Sequence, residues 1–585
     1  MRSTNAHNSP DSAGASSKIR HPISAVIAIT LFIAASLAAS LSYAGYYFLL
    51  RPSAQLDGIK YQDLAEVVKI AMTVVAGIGG TVALTVAVRK QKLAERQHEL
   101  SEEEVKRQDR RILNERFQNS IEQLGKTESA AVRIGGAYSL AKLADDWLSE
   151  RQTCINVLCG YLRFPYLSSG SIDGEREVRQ TIIGIIRQRL SRGAEVSWDG
   201  NLFDLAGAVL DSLDLSDIYL RESTLRLCGC VIQAATFRMK GFFVMGGEID
   251  ARGLRVMDGA TLDAQGGYLS NSGRVSLTGS TISSGTVIFE DTHIDGGHLD
   301  LDHARIEGSG VLNLSHLLIA SVPLVQHHPS PLSLDKAEIF GGTVNLERIR
   351  ITTGRDQSKV TWSGGREEGG GQFIASFRQL TLTDGRISFN HTEIPYGKFS
   401  FANGNYTGGV LDFEYAKLKD CCLDFASAKI DGGVLNFSNC QAGMWSSDGS
   451  PRSGFAYEWL ESLRKMKEVS DRDMVSRKSP CGVVVFLDAE LVSGHINFDG
   501  AIVKGALLDF PGMRASGGKI TFIDSIFNSS SISLWNAKLS DECEIEIKPQ
   551  QVLDLTVLYS RGWGGLNGHV VLGEHVKLLE VSDFD

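Results

Sequence analysis

The chain has 585 residues, with 61 Gly but only 12 Pro, nine Cys and a formal net charge of −10. So much glycine with so little proline excludes a proline-rich disordered linker and favours many tight turns. The cysteines show neither CxxC nor zinc-type spacing, so we expect reduced, buried thiols in a cytosolic compartment rather than disulfides or metal ligands.

Two uncharged stretches near the N-terminus predict a membrane anchor. Ile23–Leu50 contains 28 residues without a charge, and Ile70–Val88 contains 19. Either stretch is long enough to cross the hydrocarbon core of a bilayer as a helix. We therefore expect residues 23–88 to form two transmembrane helices joined by a short external loop, after a disordered cytoplasmic segment at residues 1–22.

The charges around these stretches predict the topology. Lys and Arg residues precede the first stretch and follow the second, whereas the loop at residues 51–69 has three basic and three acidic residues. Basic flanks remain on the cytoplasmic side of a membrane. Both termini are therefore expected in the cytoplasm, in a multi-pass protein of the cell membrane that is anchored in the lipid bilayer.

Residues 89–195 are expected to be helical. Residues 89–114 lack Gly and Pro and mix both signs of charge, which is typical of a solvated helical linker. Residues 115–195 contain short amphipathic segments, such as Ile155–Arg163 and Glu177–Leu190. We expect this small α-helical unit to cap the repeats that follow, because the first repeat of a stack needs a cover.

An apolar residue occupies every fifth position after this unit. The row consists of Leu205, Leu210, Leu215, Leu220, Leu225 and Cys230. A period of five fits neither a helix nor a single strand. It fits a four-sided coil whose sides each place one central residue inward, with neighbouring coils paired through their backbones. Leu215 should then point into the coil, and Asp214 should face solvent.

The stretch from Leu205 to Cys230 resembles the pentapeptide-repeat family. The preceding sequence, which includes "RFQNSIEQLG" and "INVLCGYLR", is similar to the helical leader of membrane-attached bacterial members of that family. The resemblance covers roughly Glu115 to Cys230. It implies a mainly β fold, a right-handed quadrilateral β-helix (a pentapeptide-repeat-like solenoid), preceded here by a transmembrane helical hairpin and a small α-helical unit.

Later repeats follow a longer step. Inward-type residues recur every twelve positions, as in Ile387, Phe399, Leu411, Leu423 and Leu435. Twelve equals one five-residue side and one side with two extra residues, and glycine pairs such as Gly408 and Gly409 suggest where the extra residues lie. We expect coils of about 24 residues, with alternate corners widened by glycine, over residues 196–585. A three-sheet β-helix of the lyase type is the alternative.

Residues 451–480 interrupt the solenoid. Phe455, Trp459, Leu463 and Met466 recur within them at helical spacing. The sequence therefore predicts a helical insertion whose apolar face lies against the solenoid, with docking of a partner as the alternative.

No residue set has the spacing of a catalytic, cofactor-binding or metal site, so we predict none of the three. The acidic pairs Asp300/Asp302 and Asp291/Asp295 invite comparison with β-helical sugar enzymes. Outward positions of every coil must be polar in any case, and Asp is well tolerated there. We therefore do not expect an enzyme.

The histidines and one glycine-rich stretch are weaker candidates still. His303, His327 and His328 lack the spacing of metal ligands. The stretch "GGREEGGG" lacks the Gly-Lys-Ser/Thr ending of a phosphate-binding loop. We predict no cofactor.

The charge of the repeat region bears on its partners. From Val196 onward the chain has 49 acidic and 34 basic residues, a net charge of −15. The favoured function is a non-enzymatic, membrane-tethered solenoid scaffold for protein–protein interaction on the cytoplasmic face. Its partner would be an unidentified cytosolic protein, with self-association possible and no direct binding of nucleic acid. The alternatives are an acidic DNA mimic that binds nucleic-acid enzymes and a carbohydrate-active β-helix enzyme.

Overall fold

The structure is a computed structural model that forms two compact units, Met1–Ile112 and Leu113–Asp585. It describes residues 61–165, 174–320, 330–352, 373–419, 421–443, 484–560, 570–573 and 576–581, with isolated positions between Ile29 and Tyr47.

A single helix of 64 residues, α1, spans Tyr61–Leu124. The uncharged stretch Ile70–Val88 and the charged linker at residues 89–114 both lie within it, whereas Ile23–Leu50 is largely outside the described residues. In the part of the chain that the structure describes, no helix combines the length and the apolarity needed to cross a membrane.

The second unit begins with short helices. They are α2 (Ala130–Asp146), a 3-10 turn (Leu148–Glu150), α3 (Arg151–Arg163) and α4 (Glu175–Leu190). The Ser129 hydroxyl accepts a hydrogen bond from the backbone N–H of Val132 and so caps the start of α2. Helices α3 and α4 cover the two amphipathic segments identified in the sequence.

From Leu202 the chain is a parallel β-solenoid of about 12 turns, whose strands form three sheets. Face 1 has 14 strands: Leu202–Asp204, Thr224–Arg226, Glu248–Asp250, Arg274–Ser276, His298–Asp300, Leu332–Ser333, Phe373–Ser376, Gly397–Ser400, Cys421–Asp424, Val484–Val485, Leu507–Asp509, Ser530–Leu534, Leu555–Ser560 and Lys577–Val581. Face 4 has 12 strands: Tyr219–Arg221, Phe243–Met245, Tyr268–Ser270, His293–Asp295, Leu318–Ala320, Arg350–Thr352, Glu393–Ile394, Lys417–Lys419, Gln441–Gly443, Ile502–Lys504, Ile526–Asn528 and Gln551–Val552.

The third sheet has 19 strands and contains two faces of the coil. Face 2 consists of Val231–Gln233, Arg255–Met257, Thr281–Ser283, Arg305–Glu307, Asn405–Tyr406, Arg514–Ala515 and Lys538–Leu539. Face 3 consists of Thr236–Arg238, Thr261–Asp263, Thr286–Ile288, Val311–Asn313, Val410–Asp412, Lys519–Ile523, Glu544–Lys548 and Val570–Leu572. Four eight-residue strands run across both faces: Glu338–Asn345, Thr381–Ser388, Lys429–Asn436 and Glu490–Asn497.

Each coil has four inward rows with unequal spacing. One coil runs through Phe399, Tyr406, Leu411, Leu418 and Leu423, so its steps are 7, 5, 7 and 5 residues. The expected coil of 24 residues with alternate widened sides is confirmed. The coil thus has four inward rows but three hydrogen-bonded sheets, because its second and third faces join.

The prediction that glycine pairs lie at the widened corners is wrong. Glycine pairs lie in the five-residue steps, where Gly385 and Gly494 adopt φ angles of 100° and 99°. A Cβ on Gly385 would lie 2.3 Å from the carbonyl oxygen of Gly342 in the preceding coil. The seven-residue steps are turned instead by residues such as Asn403 and Asn439, at φ 58° and 54°. Glycine is therefore required for close stacking of the narrow corners.

Two columns of phenylalanine fill the later coils. Rings in successive coils stack with centroids 4.6–5.0 Å apart. One column consists of Phe377, Phe401, Phe425, Phe486 and Phe510, and the other of Phe389, Phe413, Phe437, Phe498 and Phe522. The interior is a packed core of side chains, so ligand chemistry must take place on the outside.

One inward residue carries a polar group into this core. Tyr406 is fully buried, and its hydroxyl has no hydrogen-bond partner among the described residues. We expect Tyr406→Phe to stabilise the solenoid by about 1 kcal/mol, because it removes an unsatisfied buried group and keeps the ring. Urea unfolding of Leu113–Asp585 measures the change. Tyr415→Phe, at a ring that is 48% exposed, should change nothing, and equal effects of the two variants would contradict the assignment.

Candidate functional site

Helices α3 and α4 lie on the first coil and satisfy the hydrogen bonds of its open edge. The Gln152 side chain accepts from the backbone N–H of Leu202 at 2.9 Å and donates to its carbonyl at 2.7 Å. Arg179 in α4 is buried and donates to the carbonyl of Val209 at 3.1 Å. Helical side chains thus occupy the edge on which another coil would otherwise stack.

Asp145 at the end of α2 ties the helices to the first coil. Its carboxylate lies 2.7 Å from Nη2 of Arg189 and accepts a hydrogen bond from the indole N–H of Trp198 at 2.9 Å. Trp198 is fully buried and stacks on Phe203, with ring centroids 6.4 Å apart. One buried carboxylate therefore joins two helices to the first inward residues of the solenoid.

A second carboxylate, that of the partly buried Glu175, holds the helices together. Glu175 Oε2 accepts from Arg133 Nη1 at 2.6 Å and from the Tyr161 hydroxyl at 2.7 Å. Burial, and then Glu175, raises the pKa of Tyr161 to about 12. Arg133 neutralises Glu175 and the tyrosine keeps its proton, so this cluster is suited to structural support.

The sequence predicts that Asp214 faces solvent, but the structure shows that it is only partly exposed and is engaged with α4. It lies 2.8 Å from Nη1 of Arg187 and accepts a hydrogen bond from the backbone N–H of Ser216 at 2.9 Å. Partial burial opposes ionisation, but Ser216 and Arg187 hold the pKa of Asp214 below its usual value. The residue belongs to the contact between α4 and the first coil, which a five-residue period does not reveal.

The acidic residues considered as a sugar-cleaving site are engaged in neighbouring coils. Asp300 pairs with Arg274 at 3.0 Å, and Asp302 accepts from the Ser333 hydroxyl and the backbone N–H of Asp335. Burial and the carboxylates of Asp300 and Asp335 raise the pKa of Asp302. Each carboxylate therefore has its partners in an adjacent coil.

The two carboxylates of the other acidic pair bind different side chains. Asp291 occupies a turn with φ 56° and accepts from the Gln265 amide at 3.3 Å. Asp295 accepts from the Tyr268 hydroxyl at 3.0 Å. Each carboxylate therefore binds a side chain of the preceding coil, not its partner in the proposed pair.

The remaining candidates give no metal or phosphate site in the described residues. His303 lies in a turn with φ 57°. His327, His328, the "GGREEGGG" stretch and the helical insertion at residues 451–480 lie outside the described residues. Within the described ranges, no three His, Cys, Asp or Glu side chains group as a metal site requires.

The buried thiols are poorly suited to nucleophilic chemistry. Burial raises the pKa of Cys159, Cys230 and Cys440 to about 12. The thiolate is the reactive form, so these residues are protonated at neutral pH. They serve as small apolar side chains of the core.

An outward aromatic ladder on face 4 was missed in the sequence. Tyr219, Phe243, Tyr268 and His293 occupy equivalent positions in four successive coils, with ring centroids 5.1, 4.7 and 4.6 Å apart. Their spacing of 24 or 25 residues was the available signal. Phe243 and Tyr268 stack face to face, whereas the rings of Tyr268 and His293 meet at 65°, and these contacts stabilise the stack of coils.

Comparison of the chain with protein-family models, with curated proteins and with solved structures finds no match. Function must therefore be argued from the capped solenoid and its outer faces.

Proposed function

We propose that the protein is a non-enzymatic solenoid scaffold, tethered to the cell membrane, that binds a protein partner on the cytoplasmic face. The observation that carries this proposal is a filled, capped solenoid whose outward polar groups bind mainly to one another from coil to coil. Such a body presents a long, regular contact surface. We also propose a relationship to the pentapeptide-repeat family, which rests on the five-residue row from Leu205 to Cys230 in the sequence.

The paired charges on the outside of the solenoid favour binding of a partner over catalysis. A catalytic acid or base needs a perturbed group placed against a space for substrate. Asp302, whose pKa is raised, lies instead among Ser333, Asp335 and Asp300 along the coil. A surface of paired charges suits recognition of another macromolecule.

The proposed membrane tether rests on the two uncharged stretches of the sequence, Ile23–Leu50 and Ile70–Val88. The uncharged stretch Ile70–Val88 is continuous with charged residues in one helix, Tyr61–Leu124. Apolar side chains within that stretch are open to solvent, and Met72 and Leu84 are 67% and 66% exposed. A bilayer would cover such side chains, and the basic residues that follow would remain at its cytoplasmic surface.

The topology is directly testable. We expect Ser53→Cys, in the loop between the two uncharged stretches, to react with an impermeant thiol reagent added to intact cells. Ser582→Cys, near the C-terminus, should react only after the membrane is opened. The opposite pattern, or equal labelling of the two positions, would contradict a cytoplasmic location of both termini.

A second candidate is an acidic mimic of DNA. Outward basic residues are frequently neutralised by a carboxylate of a neighbouring coil, as in Arg274–Asp300 and Lys398–Asp424. The net charge of −15 from Val196 onward is therefore carried by the remaining acids. Binding to a partner by this mechanism would weaken steeply with added salt, whereas binding through a mixed contact surface would be less sensitive.

Binding itself is tested with the intact membrane protein and proximity labelling of its neighbours. The proposal predicts a reproducible cytosolic protein whose labelling is lost when outward residues of one face are changed. The same variants must keep the thermal midpoint of the parent protein. Turnover of a carbohydrate by the purified protein would overturn the non-enzymatic assignment.

A further inference from the structure

A row of outward, mostly polar side chains runs along face 1, at the residue that precedes the widened corner leading to face 2. Backbone pairing places its members in register from coil to coil. Several of them are buried although they point away from the core, and at most 4% exposed: Asp250, Ser276, Ser376, Ser400 and Asp509. Because this burial recurs along the row, it belongs to the bend of each coil into its corner. A charged side chain in the row therefore needs its partners within the solenoid.

Four aspartates of this row have two kinds of partner. Each accepts a hydrogen bond from the backbone N–H two residues later, as Asp424 does from Ala426 at 3.0 Å. Each also has a cation beside it, as Asp424 has Lys398 at 2.7 Å. The other three are Asp204, Asp250 and Asp300. An N–H donor and a cation both favour the ionised form of a carboxyl group.

Asp509 lacks the first kind of partner. The residue two positions later is Pro511, which has no backbone N–H. Oδ1 of Asp509 is buried and has no hydrogen-bond partner among the described residues. Burial raises the pKa of the Asp509 carboxyl to about 7, and the neighbouring Ser533 hydroxyl opposes this shift only in part.

The strands packed against Asp509 do not supply the second kind of partner. Val484–Val485 of the preceding coil and Ser530–Leu534 of the following coil pair with its strand, and both consist of uncharged residues. The residues directly opposite its side chain are Val485 and Ser533. The neutral, protonated carboxyl is therefore the form that suits these neighbours.

The charged residues at the adjoining corners do not change this conclusion. Asp488, at the corner of the preceding coil, is an acid, and its Oδ1 lies beside Gly512. Arg514 begins the next face of the same coil and pairs with Glu490 at 3.7 Å. In the corner of the following coil, Trp535 and Asn536 are uncharged.

We propose that Asp509 is a proton-controlled lock on the coils of residues 484–539, closed while its buried carboxyl keeps its proton and loosened when the proton leaves. An ionised carboxylate without a donor or a cation is poorly tolerated in a buried position, so the corner must open to hydrate it. This inference depends neither on the membrane tether nor on a partner.

The direction of the effect follows from the two protonation equilibria. The pKa of the Asp509 carboxyl is about 7 in the closed coil, whereas an exposed aspartate has a pKa of about 4. The closed form therefore binds the proton more tightly, and acidification from about pH 7 to about pH 4 favours it. Opening should increase as the pH rises through this range and should level off above it.

The test follows backbone hydrogen exchange in the full-length protein at about pH 5.5, 6.5 and 7.5, corrected for the intrinsic exchange rate at each pH. In the parent chain, opening at residues 507–515 should increase several-fold per pH unit, and about tenfold is the limit for a single proton. Asp509→Asn keeps the shape of the protonated acid but cannot ionise. Opening in this variant should no longer depend on pH.

Two further variants separate the carboxyl from its missing donor. Pro511→Ala supplies the N–H and keeps the carbonyl that accepts from the N–H of Asp488 at 2.8 Å. It should lower the pKa of the Asp509 carboxyl and so weaken the pH dependence, although the acid is still present. Asp424→Asn is the matched control at an aspartate with both kinds of partner, and it should leave the pH dependence at residues 507–515 unchanged.

The protonated carboxyl is detected directly by difference infrared spectroscopy. At about pH 6 the parent chain should show a carboxylic acid band that is reduced in Asp509→Asn and retained in Asp424→Asn. An identical band in the parent and in Asp509→Asn would mean that Asp509 is already ionised, and the proposal would be wrong.

The exchange data can also overturn the proposal. Equal pH dependence in the parent and in Asp509→Asn would assign the effect to another group. Unchanged pH dependence in Pro511→Ala would exclude the missing N–H as its cause. Should Asp509→Asn fail to fold, the comparison of Pro511→Ala with the parent decides the outcome.

Discussion

Leu215→Asp should destabilise the unit Leu113–Asp585 by about 4 kcal/mol or more. Leu215 is fully buried in the first coil. The substitution removes its packing and places a carboxylate in an apolar interior without a partner, and both effects are large. Unfolding in urea at neutral pH measures the loss, and part of the stability should return at acid pH, where the carboxyl becomes neutral.

Two neighbouring acids provide the comparison. Asp214→Asn should cost about 1 kcal/mol or less, because the contact with Arg187 is partly exposed to solvent. Glu222→Gln, at an exposed turn, should have no measurable effect. Similar losses in Leu215→Asp and Asp214→Asn would mean that the inward and outward assignment of the five-residue row is wrong.

Gly385→Ala should be strongly destabilising for so small a substitution at a turn. Its φ of 100° is strained for any L-residue, and the added Cβ would meet the carbonyl oxygen of Gly342 at 2.3 Å. Because that oxygen belongs to the backbone of the preceding coil, relief requires the two coils to separate. We expect a loss of about 3 kcal/mol in urea unfolding.

Gly207→Ala is the control that separates the cost of a positive φ angle from the cost of a clash between coils. Gly207 also has a positive φ, 73°, but nothing lies within 4 Å of an added Cβ. Its substitution should cost only the backbone strain, about 1 kcal/mol. If Gly207→Ala and Gly385→Ala are equally destabilising, the positive φ angle, and not the close approach of the preceding coil, explains why glycine is needed at these positions.

The sequence predicted the coil because inward residues obey a simple period. The twelve-residue series from Ile387 to Leu435 alternates between faces 3 and 1 and so marks every second side of the coil. The row from Leu205 to Leu225 is buried, but its members are not equivalent, because Leu225 pairs with Phe203 rather than with Leu205. The conformation of the corners was harder to predict, because Asn403 and Tyr415 adopt positive φ angles as many glycines do. The need for Gly385 comes from another coil, 43 residues away at Gly342, which no local pattern shows.

The contacts at the candidate site were less predictable for the same reason. The acidic pairs were judged by their separation in sequence, but Asp300 and Asp295 bind residues 26 and 27 positions earlier. The roles of Asp145 and Glu175 depend on Trp198 and Arg133, which lie 53 and 42 residues away. Once the coil length is known, contacts between residues one coil apart can be predicted. Contacts between the helices and the first coil follow no repeat and cannot be predicted in this way.

The helices that cover the first coil suggest that the solenoid folds from its N-terminal end. Helices α2, α3 and α4 are synthesised before any strand, and Gln152, Arg179 and Asp145 already carry the groups that receive Leu202, Val209 and Trp198. Each later coil then adds to an edge that the previous coil has completed. We therefore expect the helical unit to act as a template that sets the register of the first coil, from which the solenoid grows as the chain emerges from the ribosome.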